Sequence, residues 1–434
     1  MSSSQINSIG TTDRRIGIAL MTALFCSSFQ FFHSFGKAFE TQPLAPYLLL
    51  EFTLAALILI STATMAMEVA TGRLRPLDLF FFLLPVSWLA LSAGFAWLTY
   101  DQPLIFGVGE DRRILTFLYW FAFDPVRRRY DLSVSDILRA LVLCACIYLV
   151  VAIGLQLIVP DRLDARSLPD LDTRRLRMST PGDCFAITIL AGLVGSFVSK
   201  RRTINVLAIA VGFVGLLQVA QTRQLTLAAI ITAAIIIWFW RPLWALILAG
   251  AGTAVFLVAI STHGPVLFEQ LTEALLPNIS EFLGSNLADN ARINTLIIVT
   301  KLLVEHHFLG LGAVSLLYDG GLARIYGRDF FVNDVGMAGE FFRIGFFYLA
   351  FLFAYAVTAL RLWQRIEHVQ HRALIGSLYL FYFLLAPTDG FFYRLGFVHA
   401  FLFLLMTAAA SRVPQVLSEG RQATAQPAVL LGID

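Results

Sequence analysis

The chain carries little charge and almost no lysine. Only 14% of its 434 residues are Asp, Glu, Lys or Arg, and 58% are hydrophobic. Of the 32 basic residues, all but Lys37, Lys200 and Lys301 are arginine. A soluble domain carries roughly 25% charge. This composition, with a mean hydropathy of +0.75, therefore excludes an ordinary soluble protein.

Motifs of soluble-enzyme chemistry are also missing. The four cysteines, Cys26, Cys144, Cys146 and Cys184, have no spacing that suggests zinc ligation or a disulfide framework. The chain has no Walker loop, no HExxH and no strand-associated GxGxxG. The histidines of HVQH, 368–371, could ligate a metal, but a histidine pair in a solvated loop is the favoured interpretation. We predict no metal site, no cofactor and no coupling to ATP.

Long apolar runs are what the chain has instead. Runs of about 20 residues recur from end to end, and each can cross a bilayer core of about 30 Å. They predict an all-α polytopic membrane protein, a single integral membrane domain over 1–434 with about 12 transmembrane helices. The approximate bounds are 16–35, 44–67, 77–99, 104–123, 134–158, 182–199, 203–220, 224–240, 243–260, 337–360, 373–387 and 395–410. The fourth is the weakest, because its apolar part, ILTFLYWFAF, is too short to span alone.

Basic residues in the short loops set the expected orientation. They fall on one side, which the positive-inside rule makes cytoplasmic. The clearest runs are RR at 14–15, RLR at 73–75, RRR at 127–129 and KRR at 200–202. The terminal segments, 1–13 and 411–434, are then cytoplasmic tails. Two larger loops, 159–181 and 261–336, lie on the opposite, periplasmic face, the second between helices 9 and 10.

Charged residues at membrane depth are hypotheses for function by default. Arg223 is the only charge between residues 203 and 240, and it lies in a short outer turn, QTRQL. A guanidinium there either snorkels to water or faces a polar cavity as a fixed cation, and its position alone does not choose between the two. Glu51, in the second span, is expected to pair with an arginine inside the bundle. For EDRR, 110–113, a structural ion-pair network is favoured.

The outer loop is the richest region in candidate residues. Its apolar pattern predicts a helix from about 291 to 304, followed by a tight turn at GLG, 310–312. Asn333 and Asp334 then come near the outer mouth of the tenth span. Arg343 follows within that span, so we expect it to be a second cation inside the membrane.

Several of these segments resemble the bacterial O-antigen polymerase and O-antigen ligase superfamily, over about residues 174–390. In that family a short outer turn carrying an arginine, here QTRQL, precedes a large outer loop. The loop has an arginine at the start of a helix, as in Asn290-Ala291-Arg292, and then a glycine-rich turn similar to HHFLGLG. A polar pair follows, with a glycine in the next span. VNDVGMAGEFFRIG resembles this part, with Asp334 in the place of the family's histidine and Gly345 as the glycine. RRLRMSTPGDCFAITILAG, 174–192, resembles the family's entry to a span.

The resemblance implies that the protein polymerises polyprenyl diphosphate-linked oligosaccharide repeat units into exopolysaccharide. It would do so by metal-independent glycosyl transfer at the periplasmic face of the bacterial inner membrane. Ligases of the family are thought to use a histidine where this chain has Asp334, so the polymerase branch is favoured. The alternatives are ligase-type transfer of polymer to an acceptor, a polysaccharide or lipid transporter, and a non-catalytic scaffold for polysaccharide assembly.

The resemblance also implies roles for single residues and partners. Arg223 and Arg292 would bind the diphosphate, and Asp334 would be the base that completes the catalytic set. His307 is the second choice for the base. The substrate-binding residues would be Arg177, His307, Asn333 and Arg343, which would hold phosphate or sugar. The expected partners are the lipid-linked oligosaccharide, membrane lipid, a flippase and a co-polymerase, without nucleic acid.

Overall fold

The computed structural model of the protein describes residues 3–29, 45–158, 182–198, 202–220, 223–243, 291–315, 318, 325–326, 330–393 and 396–411. These residues are helical almost throughout and include no β-strand. A single antiparallel bridge between Leu309 and Gly345 is the sheet-like pairing within them. The predicted all-α class is confirmed for this part of the chain.

The described helices are numbered here in chain order. They are α1 (Ser3–Ser28), α2 (Ala45–Ala70), α3 (Pro76–Tyr100), α4 (Leu104–Asp111), α5 (Trp120–Arg129), α6 (Val134–Ile158), α7 (Gly182–Val198), α8 (Arg202–Val214), α9 (Arg223–Trp240), α10 (Ala291–Glu305), α11 (Gly336–Ile344), α12 (Phe347–Gln364), α13 (Val369–Asp389) and α14 (Gly396–Ala410). A 3-10 segment (Arg112–Tyr119) joins α4 to α5, a π-helical segment (Gly215–Ala220) ends α8, and a 3-10 turn (Val332–Asp334) precedes α11.

Several of these helices can cross a membrane. Six are long and apolar enough by length and composition, namely Glu51–Ala70, Pro76–Tyr100, Val134–Gly154, Thr203–Ala220, Phe347–Gln364 and Val369–Asp389. Three shorter apolar helices, Gly182–Phe197, Gln224–Trp240 and Gly396–Ala410, coincide with further predicted spans. The protein is therefore an α-helical membrane protein. Most of the predicted ninth span, 243–260, and the loop residues 159–181 and 261–290 lie outside the described residues.

The predicted fourth span, 104–123, is a helix that changes type twice. α4 passes into the 3-10 segment and then into α5, so the helical run continues to Arg129. A 3-10 helix rises about 2.0 Å per residue, against about 1.5 Å in an α-helix, so the stretched middle covers more distance per residue. Ile114, Phe117 and Trp120 are fully buried in this run. Because this run is buried among other helices, it can form part of the bundle although its apolar stretch is short.

The predicted tenth span, 337–360, is wrong in its first part. The chain forms the short helix α11, breaks at Gly345 and begins the long apolar helix α12 at Phe347. Gly345 has a φ of +59°, and a Cβ there would lie 2.3 Å from the amide nitrogen of Gly310. The break is thus tied to the close approach of a distant segment. Arg343 consequently lies on α11 and not within the apolar span.

Aromatic rings fill the centre of the bundle. Phe81 stacks on Trp120 with ring centroids 4.7 Å apart, and Phe403 meets Phe81 edge-on at 5.2 Å. Lipid tails are as apolar as these side chains, so within a membrane close packing rather than escape from water stabilises such contacts. Aromatic pairs contribute about 0.5–1.5 kcal/mol beyond the area they bury. The rings therefore hold α3, α5 and α14 together.

A network of ion pairs closes one end of the bundle, which we call the basic end because it carries the RLR and RRR runs. Asp124, almost completely buried, lies 2.5 Å from Arg75, 2.9 Å from Arg127 and 2.8 Å from Arg128, measured from carboxylate oxygen to guanidinium nitrogen. Asp78 accepts a hydrogen bond from the Trp120 indole at 2.8 Å. Arginines that the sequence uses to set orientation thus also fasten α3 to α5.

Asp124→Asn should destabilise the protein by about 3 kcal/mol, because breaking a buried ion pair leaves its partners without a counter-charge. A drop in the apparent melting temperature of the purified protein in detergent would measure this loss. Asp131→Asn is the matched control, since Asp131 is exposed at the same end. Equal melting temperatures for the two variants would contradict the assigned role of Asp124.

Candidate functional site

The segments HHFLGLG and VNDVGMAGEFFRIG lie against each other in the structure. The amide of Leu311 donates to the carbonyl of Phe342 at 2.8 Å, and that of Gly312 to the carbonyl of Arg343 at 2.9 Å. A Cβ on Gly310 would lie 2.5 Å from the Arg343 carbonyl oxygen, so this contact requires glycine. Gly312 has a φ of +89°, which confirms the tight turn predicted there.

Helix α10 matches the helix predicted for 291–304, and it packs on α11 and on the 3-10 turn before it. The Thr295 hydroxyl accepts the N–H of Phe331 at 3.0 Å. Arg292, which is exposed, lies one turn before Thr295. His307 follows the other end of α10, roughly 22 Å along the helix axis from Arg292. The structure therefore does not place these two predicted residues at one phosphate group.

Arg343 is buried and held on three sides. Its Nε lies 3.0 Å from Asp111 Oδ1, its Nη2 donates to the side-chain oxygen of Asn333, and its guanidinium lies 4.0 Å from the centre of the Tyr393 ring. Asp111 in turn accepts the Trp88 indole N–H at 3.0 Å. The structure thus brings the predicted residues Asn333 and Arg343 together. This arrangement favours a positioning role for Arg343 over the predicted contact with substrate.

Glu340 fixes the loop between α13 and α14. Its carboxylate, 1% exposed, accepts the backbone N–H groups of Phe391, Phe392 and Tyr393 at 2.8, 2.6 and 2.6 Å. Burial raises the pKa of the Glu340 carboxyl group, and the three N–H donors oppose that rise. The Tyr393 hydroxyl donates to the backbone carbonyl of Glu110 at 2.8 Å. Glu340 thereby holds the tyrosine ring over Arg343.

Glu340→Gln should loosen this loop. An amide has one acceptor oxygen and no charge, so at least one of the three buried N–H groups is left without an acceptor, at a cost of about 1–3 kcal/mol. Faster amide hydrogen exchange in a peptide covering residues 390–393 would measure the change. Glu305→Gln is the control, since Glu305 is exposed and its carboxylate lies 3.8 Å from the Lys301 ammonium group, away from this loop. Unchanged exchange in Glu340→Gln would contradict the role assigned to Glu340.

The pairing predicted for Glu51 is confirmed. Arg112, the first residue of the 3-10 segment, binds both carboxylate oxygens of Glu51, and its Nε lies 2.8 Å from Oε2. A bidentate pair of this kind is stronger than a single contact. The favoured structural network at 110–113 is also confirmed, because Asp111 binds Arg343 and Arg112 binds Glu51. Arg113, the next residue, has an exposed side chain.

These residues form what we call the polar cluster, near the end of the bundle opposite the basic end. Its charged members are Glu51, Glu110, Asp111, Glu340, Arg112, Arg113 and Arg343. Four carboxyl groups face three guanidinium groups, so the cluster as described has no excess of positive charge. A bound diphosphate would need additional cations. Arg223 and Arg292 are the residues to which the sequence assigns this role, and Arg177 is a further predicted cation.

The remaining predicted residues are placed by their backbones or lie outside the described part. Arg223 is the first residue of α9 and Asp334 the last of the 3-10 turn, and neither side chain is described. A Cβ on Gly336, two residues after Asp334, would lie 2.3 Å from the carbonyl oxygen of Pro387 near the end of α13. The 3-10 turn therefore lies at the end of α13. Arg177 falls outside the described residues.

A pair of carboxyl groups at this end was not predicted from the sequence. Asp183, in the first turn of α7, interacts electrostatically with Asp389, the last residue of α13, and the Tyr382 hydroxyl lies beside Asp183. A Cβ on Gly212 would lie 2.7 Å from the Phe185 carbonyl oxygen, so the far end of α8 also meets the start of α7. α9 begins just after α8 ends. Arg223 thus starts α9 at the same end as the carboxyl pair.

The sequence offered a clue to these carboxyl groups. Asp183, in PGDCF, comes just before a long apolar run, and Asp389, in PTDGF, comes just after one. Acidic residues at the edge of a membrane span are candidates for a function by default. A carboxylate within reach of a hydroxyl group can accept its proton. The pair is therefore a further candidate for the base, besides Asp334 and His307. Among the described residues, no three metal-ligating side chains are grouped to hold an ion.

No protein-family model matches the chain, and no curated protein matches it significantly in sequence. The fold and the polar cluster define the class: a helical membrane protein with a cluster of ion pairs near one end of its bundle. The function within this class depends on the chemistry of the residues at that end of the bundle.

Proposed function

We propose that the protein is a polymerase that joins polyprenyl diphosphate-linked oligosaccharide repeat units into exopolysaccharide. The observation that carries this proposal is the direct contact between HHFLGLG and VNDVGMAGEFFRIG. HHFLGLG lies in the outer loop, and VNDVGMAGEFFRIG runs from the end of that loop into the predicted tenth span. Both resemble parts of one superfamily, and they meet through the backbone hydrogen bonds of Leu311 and Gly312.

The orientation of the charged ends supports the same proposal. The basic end carries the arginines of the short loops, which the positive-inside rule puts in the cytoplasm. The polar cluster and the start of α9 then face the periplasm. We extend this to about 12 spans, cytoplasmic termini, a large periplasmic loop between helices 9 and 10, and a site at the outer face of the bacterial inner membrane.

The proposed reaction is a glycosyl transfer. The bond between the anomeric carbon of the growing chain and its diphosphate oxygen breaks, and the diphosphate lipid leaves with the electron pair. A hydroxyl oxygen of the incoming repeat forms the new bond to that carbon, and its proton passes to a base. Arg223 and Arg292 would stabilise the negative charge that develops on the leaving diphosphate. The polar cluster would hold the loops that carry these residues in place.

Asp334 is our first choice for the base, and Asp183 is the alternative carboxyl group tested beside it. Asp334→Asn should stop turnover while the lipid-linked repeat still binds, because an amide cannot accept the proton. Binding and polymer synthesis are measured on the same purified variants. Full activity in Asp334→Asn together with loss of turnover in Asp183→Asn would transfer the role to the carboxyl pair of Asp183 and Asp389.

Purified protein incubated with lipid-linked repeat alone tests the proposed function. We expect a ladder of polymer on the lipid, without added metal or nucleotide. In cells that lack the protein, single repeats on lipid should accumulate. Long polymer left on the carrier lipid would instead indicate the ligase alternative. Repeats trapped on the cytoplasmic side, or no polymer from purified protein, would favour a transporter or a scaffold.

A further inference from the structure

An apolar groove runs along α9 on the side of the bundle. It encloses about 580 Å³, and apart from Thr226 its lining is apolar. Ile189 of α7, Leu216 of the π-helical segment and Ala229 of α9 form a buried floor, exposed by 5%, 2% and 3%. The groove exists because α9 presents alanine there, at Ala229 and at Ala233 one turn further on.

Among the residues that the structure describes, none covers the rim of this groove on its outer side. Phe213, Leu217 and Ile230 line it and are 44%, 46% and 50% exposed. Phe213 and Leu217 lie on a helix long and apolar enough to cross a membrane, and Ile230 lies on a shorter apolar helix, so we expect the opening to face lipid rather than water. A hydrocarbon chain can therefore enter from the bilayer without crossing a polar surface.

The length and position of the groove indicate what kind of hydrocarbon chain it can hold. From Thr226 to Ile237 it follows α9 for roughly 16 Å, about half of a 30 Å hydrocarbon core. Thr226 is in the first turn of α9, the turn that Arg223 begins. The start of a helix carries a partial positive charge of about half a unit and attracts anions. The groove thus suits a long apolar chain whose anionic head lies at the outer end of the bundle.

We propose that this groove holds the hydrocarbon chain of the polyprenyl diphosphate carrier, with the diphosphate at the start of α9. The assignment rests on the proposed function, and it adds a binding site for the polyprenyl chain, the part of the substrate that does not react. The chain lies across α7, the π-helical segment and α9, and it presents the diphosphate to the same end of the bundle as the carboxyl pair.

Photo-crosslinking tests the occupant directly. A p-benzoylphenylalanine is placed at position 213, where Phe213 lines the rim of the groove and already carries an aromatic ring, or at position 231 as a control, since Ile231 is exposed on α9 but does not line the groove. Each protein is illuminated in phospholipid nanodiscs that contain long-chain polyprenyl diphosphate, and adducts are identified by mass spectrometry. We expect prenyl adducts at 213 and mainly phospholipid adducts at 231. Phospholipid adducts alone at 213, or equal prenyl labelling at both positions, would overturn the proposal.

A narrowed groove gives a second measurement. Ala233→Phe should weaken binding of polyprenyl diphosphate by about tenfold, a loss of about 1.4 kcal/mol, whereas Ile231→Phe should leave it unchanged. Equal affinity for the two variants would overturn the groove assignment. The outcomes separate the two proposals. Normal polymer synthesis by Ala233→Phe contradicts only the groove assignment, and prenyl labelling at 213 without polymer synthesis by the parent protein contradicts only the proposed function.

Discussion

Arg223→Ala and Arg292→Ala should each abolish polymer while leaving single repeats on the carrier lipid. The three arginines of the polar cluster are matched by four carboxyl groups, so the charge for a diphosphate must come from elsewhere. Removing one preorganised donor from a developing negative charge costs about 100-fold to 1,000-fold in rate. We therefore expect each variant to lose at least about 100-fold in the rate of polymer synthesis by purified protein.

Lysine variants and a distant arginine sharpen this test. Arg223→Lys and Arg292→Lys keep the charge but lose the planar fork that binds two phosphate oxygens, so part of the activity should return. Arg365→Ala is the control, because Arg365 is exposed beyond the far end of α12. Long polymer from both alanine variants, expressed at normal levels, would contradict the diphosphate assignment.

Much of the fold could be predicted, because membrane helices are recognised by their apolar composition. Apolar runs of sufficient length predict spans without knowledge of their neighbours. The break at Gly345 could not be predicted, because the sequence FFRIGFFYLAF is apolar on both sides of it apart from Arg343. What makes the break is the backbone of Gly310, which approaches Gly345 from another part of the chain. The 3-10 segment within the fourth span was missed for a similar reason, since packing against other helices stabilises it.

In the candidate site too, contacts that depend on local sequence could be predicted and contacts between distant segments could not. The partner of Glu51 was predicted only as an arginine, and the nearby EDRR sequence contained it. The pairing of Arg343 with Asp111 joins segments more than half the chain apart, and no local pattern encodes such a contact. The role of Glu340 depends on three backbone N–H groups, which every sequence has, so only the structure could reveal it. Arg223 and Arg292 remain predictions from residue type and position.

The ion pair of Asp111 and Arg343 should behave as one unit. Asp111→Asn leaves a buried guanidinium without its counter-charge, and breaking a buried pair in this way costs about 3–5 kcal/mol. Arg343→Gln leaves Asp111 with the Trp88 indole as a remaining donor. The double variant removes both charges at once. It should therefore be more stable than the sum of the two losses predicts, by about 1–3 kcal/mol.

A double-mutant cycle on apparent unfolding in detergent measures this coupling. The exposed pair of Lys301 and Glu305, with nitrogen and oxygen 3.8 Å apart, is the control and should show almost none. If the losses of Asp111→Asn and Arg343→Gln simply add, Arg343 is held by Asn333 and the Tyr393 ring instead. If they couple as expected, the pair locks α4 to α11. Any variant that loosens it should then also reduce polymer synthesis without touching substrate, because the segment from Val332 to Arg343 carries Asp334.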